Sequence, residues 1–486
     1  MLRLSSVYLL GLPIALALLY QIIQVQRKAS SRVPGPWYTK WTGLVGSYYV
    51  VKGRHAYYIH GLHQEYGPIV RVAPNQIAVC DLAAVKEIYH VKETYTKSPW
   101  YSRVTSTQDH NVFNTHHVDV HRRHRKLLSG PMSETSLSTL IPVIQGKVDL
   151  AIQRMKEEME TRGAADVLKW CLFMATDVVG TLTFGDSFRL LELGKKNEYI
   201  KDLEAVAPMT ALRGTFPTLV SYAARLPLPI FDRFHRAKHN LRRYAEESLR
   251  MHENLVLSDS TSVQKSLFTG IFKAQSEEKL TFSEVRSNAQ GYIIAGSDTT
   301  SNTLTYLIWA VCKNPDIKKK LVAELRTLPD KYEHSHLRNL PYLHQVVQEV
   351  LRLYSAVPLM LPRIVPPEGA SLCGYSLEPG TTVATQAYTM HRDPAVFPDP
   401  ERFDPERWAE PSKAMNDAFM AFGRGSRVCI GLHLANIEIR LMVARFFLEF
   451  PEAKVSQLEG MSDEDMVAKT YFLVVPSGQR CLIEAQ

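Results

Sequence analysis

Cysteine is scarce in this chain, with six residues at positions 80, 171, 312, 373, 429 and 481 out of 486. No two form a CxxC pair and none stands at close metal spacing from a histidine, which excludes a disulfide framework and a zinc site. Internal repeats and low-complexity runs are missing too, and 45% apolar content with 22% charge is that of an ordinary globular protein. The net charge is +8, yet no basic stripe with interleaved aromatics exists; the densest cluster is His121-Arg122-Arg123-His124-Arg125-Lys126. Nucleic acid is thereby excluded as a partner, while an anionic membrane face, an acidic protein or an acidic ligand group each suits the surplus. GxSxG elbows, flavin-type GxGxxG loops and histidine-carboxylate pairs at metal spacing are all lacking, so neither a serine hydrolase nor a built-in flavin fits.

Long apolar runs are absent except at the start, where Val7 to Ile23 approach the roughly 20 residues that a bilayer core requires. Arg27, Lys28 and Arg32 follow as a basic stop, which favours a single span with the main body on the cytosolic side. A cleaved signal peptide ending at Ala29-Ser30-Ser31 is the alternative, but the run exceeds a usual signal core. The expected division is a transmembrane anchor over 1–26, a basic, proline-rich hinge over 27–37 and one globular body over 38–486. In the hinge, Pro34-Gly35-Pro36 forbids helix continuation.

Within the body, Ile69-Val70-Arg71-Val72 and Gln76-Ile77-Ala78-Val79 read as a β-hairpin. From about 135 to 350 apolar residues recur at three and four spacing, as in Leu140 to Met159 and Ile317 to Leu328, which predicts helices. A strand-and-turn stretch over 363–390 and a proline-rich coil over 397–405 precede a last helix beginning near Cys429. The fold class is α+β, predominantly helical.

The segment Phe422-Gly423-Arg424-Gly425-Ser426-Arg427-Val428-Cys429-Ile430-Gly431 carries the most chemistry. Two glycines permit a tight positive-φ turn before the cysteine, and Gly431 lets a flat ligand approach the backbone. At a helix start, unpaired N–H groups are expected to lower the proton affinity of the Cys429 thiol. A buried structural cysteine is the bland reading; a phosphate loop would need a Lys-Ser/Thr ending, which is lacking.

A second segment breaks local rules. Thr281 and Glu284 form a capping-box pattern for a helix running to Cys312, stopped by Asn314-Pro315. In its middle lies Ala295-Gly296-Ser297-Asp298-Thr299-Thr300-Ser301, poor helix material flanked by Tyr292-Ile293-Ile294 and by Leu304, Leu307 and Ile308. Such a waist points to a functional site rather than a solvated patch. Third, Glu349 and Arg352 are helix neighbours on one face amid apolar residues.

These segments resemble the cytochrome P450 family: FxxGxRxCxG is matched at every fixed position, AGxDTT at 295–300 and ExxR at 349–352. The likeness extends over nearly the whole chain and is greatest to fungal microsomal members that tailor secondary metabolites. It implies a P450 fold with a long central helix and small β-sheets, and haem b (iron protoporphyrin IX) held through the Cys429 thiolate, whose charge favours O–O cleavage. Phe422, Gly423, Arg427, Gly431, Ala295 and Gly296 would border the haem, with Gly296 leaving room for oxygen. Asp298 and Thr299 would deliver protons to oxygen, and Glu349, Arg352 and Arg407 would lock the cysteine loop. By position His121, Arg125, Arg363 and Arg427 would pair with the haem carboxylates; His121 stands where many members have Trp. Arg122 and Arg123 are surface residues available to dock an acidic reductase.

The pocket-lining segments map onto 100–104, 216–231, 292–295, 357–361 and 471–473, all largely apolar, which implies a lipophilic substrate. The run Leu226 to Phe231 is expected to dip into the bilayer. The partners implied are O2, an NADPH-cytochrome P450 reductase, cytochrome b5 and membrane lipid, at the endoplasmic reticulum membrane with the catalytic domain facing the cytosol. Two rivals remain: the same fold working without external reductant as an isomerase, dehydratase or peroxygenase, and a non-catalytic membrane haem-binding protein. Terpenoid, polyketide and alkaloid substrates all stay open.

Overall fold

The computed structural model of the chain describes residues 28–105, 109–225, 229–258, 267 and 280–486, together with Leu16, Tyr20 and Ile23, which are exposed. The rest of the 1–26 anchor and residues 226–228 of the expected membrane-dipping run lie outside the described residues.

The hairpin forms as β1 (Ile69–Ala73) and β2 (Gln76–Val79), antiparallel with Ile69 opposite Val79. Next come β3 (Thr96–Lys97) and a helical bulk: α1 (Val118–Ser129), α2 (Ile141–Arg162), α3 (Val167–Phe184), α4 (Glu198–Thr215), α5 (Pro229–Ser258), α6 (Phe282–Lys313) and α7 (Pro341–Leu353). Strands β4 (Arg363–Ile364) and β5 (Thr382–Ala384) return to the sheet, and α8 (Leu432–Glu449) follows the cysteine loop. The sheet order is β1-β2-β5-β4-β3, with only the β2/β5 pair parallel. The α+β, predominantly helical class is thus what the chain adopts.

Local chemistry explains the central helices. Both halves of the Thr281/Glu284 capping box are made, and α6 ends at Asn314 as its proline predicts. α3 starts on Asp166, whose carboxylate accepts from the N–H groups of Leu168 and Lys169, and stops at left-handed Gly185. By length and composition alone α3 could cross a bilayer. Instead 78% of its 18-residue window is buried, and it packs against α6 more extensively than any other pair of elements. One large apolar cluster surrounds these helices and a second lies under the sheet, so the cysteine loop falls between two packed bodies.

Residues 29–36 lie on the body rather than swinging from it. Arg71 of β1, 2% exposed, donates to the carbonyls of Ser31 at 2.8 Å and Val33 at 2.7 Å and to the Thr39 hydroxyl. A Cβ on Gly35 would stand 2.5 Å from the Arg71 carbonyl oxygen, so only glycine lets the two backbones approach this closely.

Burial also makes the fold acid-sensitive. His55, His63 and His334 are pushed down to about 4 and His391 to about 3, chiefly by desolvation. An unfolded histidine titrates near 6.5, so stability is complete above that value and falls as the pH drops toward about 4. Glu438 works the other way: it is pushed up to about 8, so its share is full below its ordinary 4.5 and lost as pH rises through about 8. These histidines, with His121 likewise pushed down to about 3, outweigh Glu438 and the raised Asp166 and Asp177, and the thermal midpoint followed by circular dichroism is expected to fall steadily from pH 6.5 to 4.5. An unchanged midpoint over that interval would contradict the burial argument.

Candidate active site

The cysteine loop is a tight turn held from outside. Gly423 and Gly425 both adopt left-handed backbone, at φ 72° and 71°, and a Cβ on Gly425 would stand 2.1 Å from the Tyr89 carbonyl oxygen. The Cys429 N–H closes the turn on the Phe422 carbonyl at 2.9 Å. Helix α8 begins only at Leu432, with Gly431 as its cap, so the cysteine stands just before the helix rather than in its first turn. The Gly431 N–H and Arg125 do favour the thiolate; the sulfur is open on one side, yet the protein packed around the rest of it removes enough water to push the thiol up overall, against the lowering expected from the helix start.

Above it runs α6. Most of this helix is buried, yet Ile294 and Ala295 are exposed and Gly296, Asp298 and Thr299 partly so, an accessible patch in mid-helix. Tyr292, one turn earlier, is close enough to Cys429 and Arg125 to feel their charge. The Thr299 hydroxyl donates to the Ala295 carbonyl at 2.6 Å, and the Asp298 carbonyl accepts from Ser301 and Asn302, so side chains patch the waist's weak backbone ladder. Gly296 differs from expectation. A Cβ there would meet Val179 Cγ2 at 3.0 Å, so its bare face serves the close crossing of α3 and α6 rather than the open patch.

Glu349 and Arg352 are both fully buried and joined at two points, 2.7 and 2.8 Å. Arg352 also donates to the carbonyls of His391, Pro400 and Arg402. Glu349 in turn accepts from Arg407 at 3.0 Å, the Trp408 indole at 2.9 Å and the Asp404 N–H at 2.9 Å. His391 donates from Nδ1 to the Arg352 carbonyl and accepts at Nε2 from the Met420 N–H, two residues before Phe422. The network therefore runs unbroken from α7 to the cysteine loop.

Beside the loop the predicted basic residues converge. Arg125 donates to the Val428 carbonyl at 2.6 Å; Arg427 donates to Thr115 O at 2.9 Å and to Glu93; Arg363 reaches the Tyr101 hydroxyl at 3.3 Å. The β3/β4 register sets Lys97 directly opposite Arg363. Lys97 escaped sequence reasoning because its partner lies far along the chain; burial first, then Arg363 and Arg427, drives its ammonium well below the ordinary value. Three guanidiniums and the Lys97 amine thus cluster about one described carboxylate, Glu93, and the guanidiniums alone leave a formal surplus of two. His121 Nδ1 and Arg427 Nη2 are buried without hydrogen-bond partners among the described residues. A group bringing two carboxylates and an axial thiolate requirement fits what these residues offer.

Other expectations sort differently. Arg122 is exposed beside Asp119, but the Arg123 guanidinium is taken by Glu284 at the start of α6, with buried His124 on the same carboxylate. Trp100, Tyr101, Phe113 and Phe472 meet mostly edge to face in one aromatic group, with Trp100 and Phe472 tilted to each other at 6.0 Å. Phe231 instead joins Phe234, Val220 and Ala223 in a small cluster of its own, because α5 folds back on the 217–223 helix. Glu438 of α8, 2% exposed, was also missed; the Thr300 hydroxyl donates to it, tying α8 to α6 beside the waist.

A helix-rich fold with an accessible cysteine on a glycine turn and a surplus-positive cradle describes a haem-thiolate enzyme. The family model described as Cytochrome P450 matches residues 34–480. Cytochrome P450 monooxygenase tazI of Aspergillus terreus is 44% identical over 468 residues, 96% of each chain. Cytochrome P450 monooxygenase orf2 of Aspergillus niger is 41% identical over 478 residues, covering 98% of this chain and 97% of the relative. Cytochrome P450 monooxygenase stcB of Emericella nidulans is 32% identical, covering 93% and 87%. The chain belongs to the cytochrome P450 family, whose members are haem b monooxygenases acting on small molecules with O2 and a redox partner.

Proposed function

We propose that this P450 oxidises a lipophilic small molecule in fungal secondary metabolism, with Cys429 as the residue that would bind the haem iron and Asp298 and Thr299 as the residues that would handle protons. The observation that carries the assignment is the accessible Cys429 beside a buried cluster with surplus positive charge, in which His121 Nδ1 and Arg427 Nη2 have no hydrogen-bond partner among the described residues. Haem, when bound, supplies the oxygen-activating chemistry. His121, Arg125, Arg363, Arg427 and Lys97 would hold its carboxylates, while Phe422, Gly423 and Gly431 would shape the thiolate side and Ala295 the other, with Gly296 admitting the close approach of α3 behind it. Glu349, Arg352 and Arg407 keep the loop in register.

The Thr299 hydroxyl, now spent on the Ala295 carbonyl, swings to donate into the pocket, and the adjacent Asp298 restores its proton. The aromatic group around Trp100 and Phe472 supports an apolar substrate. Electrons come from an NADPH-cytochrome P450 reductase, with cytochrome b5 as a second donor, at the basic outer face near Arg122. A membrane setting at the endoplasmic reticulum, with anchor 1–26, a basic, proline-rich connection 27–37 laid on the body and haem-thiolate domain 38–486, is supported by exposed Trp37, Trp41, Leu44, Tyr48, Leu219 and Tyr222.

Thr299→Ala tests the reading. Reductase-driven NADPH consumption is expected to persist while product per NADPH falls on the order of 10²-fold and hydrogen peroxide accumulates. Undiminished product would favour the reductant-free or non-catalytic rivals. Metabolite profiling of a strain lacking the chain then identifies the substrate from the precursor that builds up.

A further inference from the structure

Glu93 belongs to none of the motifs, yet it is the one described carboxylate that touches the basic cluster. Its side chain is 10% exposed; one oxygen accepts from Arg427 Nε and the other lies 3.8 Å from His121 Nδ1. Lys97 also feels its charge. The residue sits at φ 55°, a left-handed conformation that disfavours any side chain, in a turn where its N–H donates to the His90 carbonyl at 3.2 Å. That turn directs the carboxylate inward among cations rather than out to solvent.

We propose that Glu93 is the built-in counter-ion of the haem-carboxylate cradle: a positioning residue that aims Arg427 and His121, and whose negative charge sets how readily the iron takes up an electron. The assignment rests on the reading that this cluster receives the two haem carboxylates. Those carboxylates would cancel the formal surplus of two that the guanidiniums leave over Glu93; without Glu93 a surplus of one would remain. A buried positive surplus favours the reduced centre, because reduction adds a negative charge in a medium that screens poorly. Glu93 therefore holds the reduction potential down. Since Gln has the same shape and can still accept from Arg427 Nε, the charge is separable from the geometry.

The test uses the full-length holoenzyme and a mediator-coupled spectroscopic redox titration. E93Q is expected to raise the ferrous-to-ferric ratio at a fixed potential by about threefold or more. E93D, which keeps the charge, should titrate like the parent. An unmoved potential in E93Q, or an equal shift in E93D, overturns the proposal. Should E93Q fail to fold, E93N against E93D repeats the comparison at matched length. Haem transfer from R363Q and R427Q to an apoprotein acceptor tests the underlying reading: both should lose haem several-fold faster than the parent. If they do while E93Q titrates normally, only the role of Glu93 falls. If they hold haem as tightly as the parent, the cradle falls and the proposal with it.

Discussion

Cys429→Ser eliminates the thiolate-specific carbon monoxide band of the reduced protein and takes monooxygenase turnover below detection. The hydroxyl is nearly isosteric, so the loop has no steric reason to move; its two left-handed glycines and the Cys429 N–H bond to Phe422 depend only on backbone. What changes is charge. Gly431 N–H and Arg125 compensate a sulfur anion only partly against burial, and a serine oxygen, far less acidic than a thiol, stays protonated in the same surroundings. A neutral oxygen gives the iron none of the electron density that favours O–O cleavage. Haem content and near-ultraviolet circular dichroism of the purified variant separate this from misfolding. A variant that keeps the band and turns over would remove the basis of the functional assignment.

The second large effect falls far from any substrate. Glu349→Ala strands the buried guanidinium of Arg352 and releases the Arg407, Trp408 and Asp404 donors together. Removing one partner of a buried, hydrogen-bonded ion pair costs about 3–5 kcal/mol. A native protein has only about 5–15 kcal/mol in all, so the variant is expected to be haem-poor and mostly insoluble. Arg352→Lys is hardly gentler, since one ammonium cannot reach both Glu349 oxygens and three backbone carbonyls. Soluble protein of either variant with full haem content and an unchanged thermal midpoint would show the network to be dispensable.

How much of this was legible in the sequence depended on how local the physics is. The capping box of α6, its asparagine-proline stop and the glycine turn before Cys429 are short-range devices, and each is made as read. Glu349 and Arg352 could be paired because helix geometry alone brings them together, but His391, which carries their constraint to Met420, needed the fold. Lys97 and Glu93 likewise gain meaning only once β3 lies beside β4 and the Glu93 turn points inward. The misread features share one cause, burial supplied by a distant element. Val179 of α3 fills the space next to Gly296, and desolvation overrides the helix start at Cys429.

The grip of Arg71 on residues 31–33 fixes where a shortened version can begin. Cutting at Pro34 would delete both carbonyl acceptors and leave a guanidinium in the interior with the Thr39 hydroxyl as its remaining partner. Starting at Lys28 keeps Ser31 and Val33, and also the Ser30 N–H that binds Glu378. For this chain the useful boundary therefore lies upstream of the prolines, inside the basic stretch.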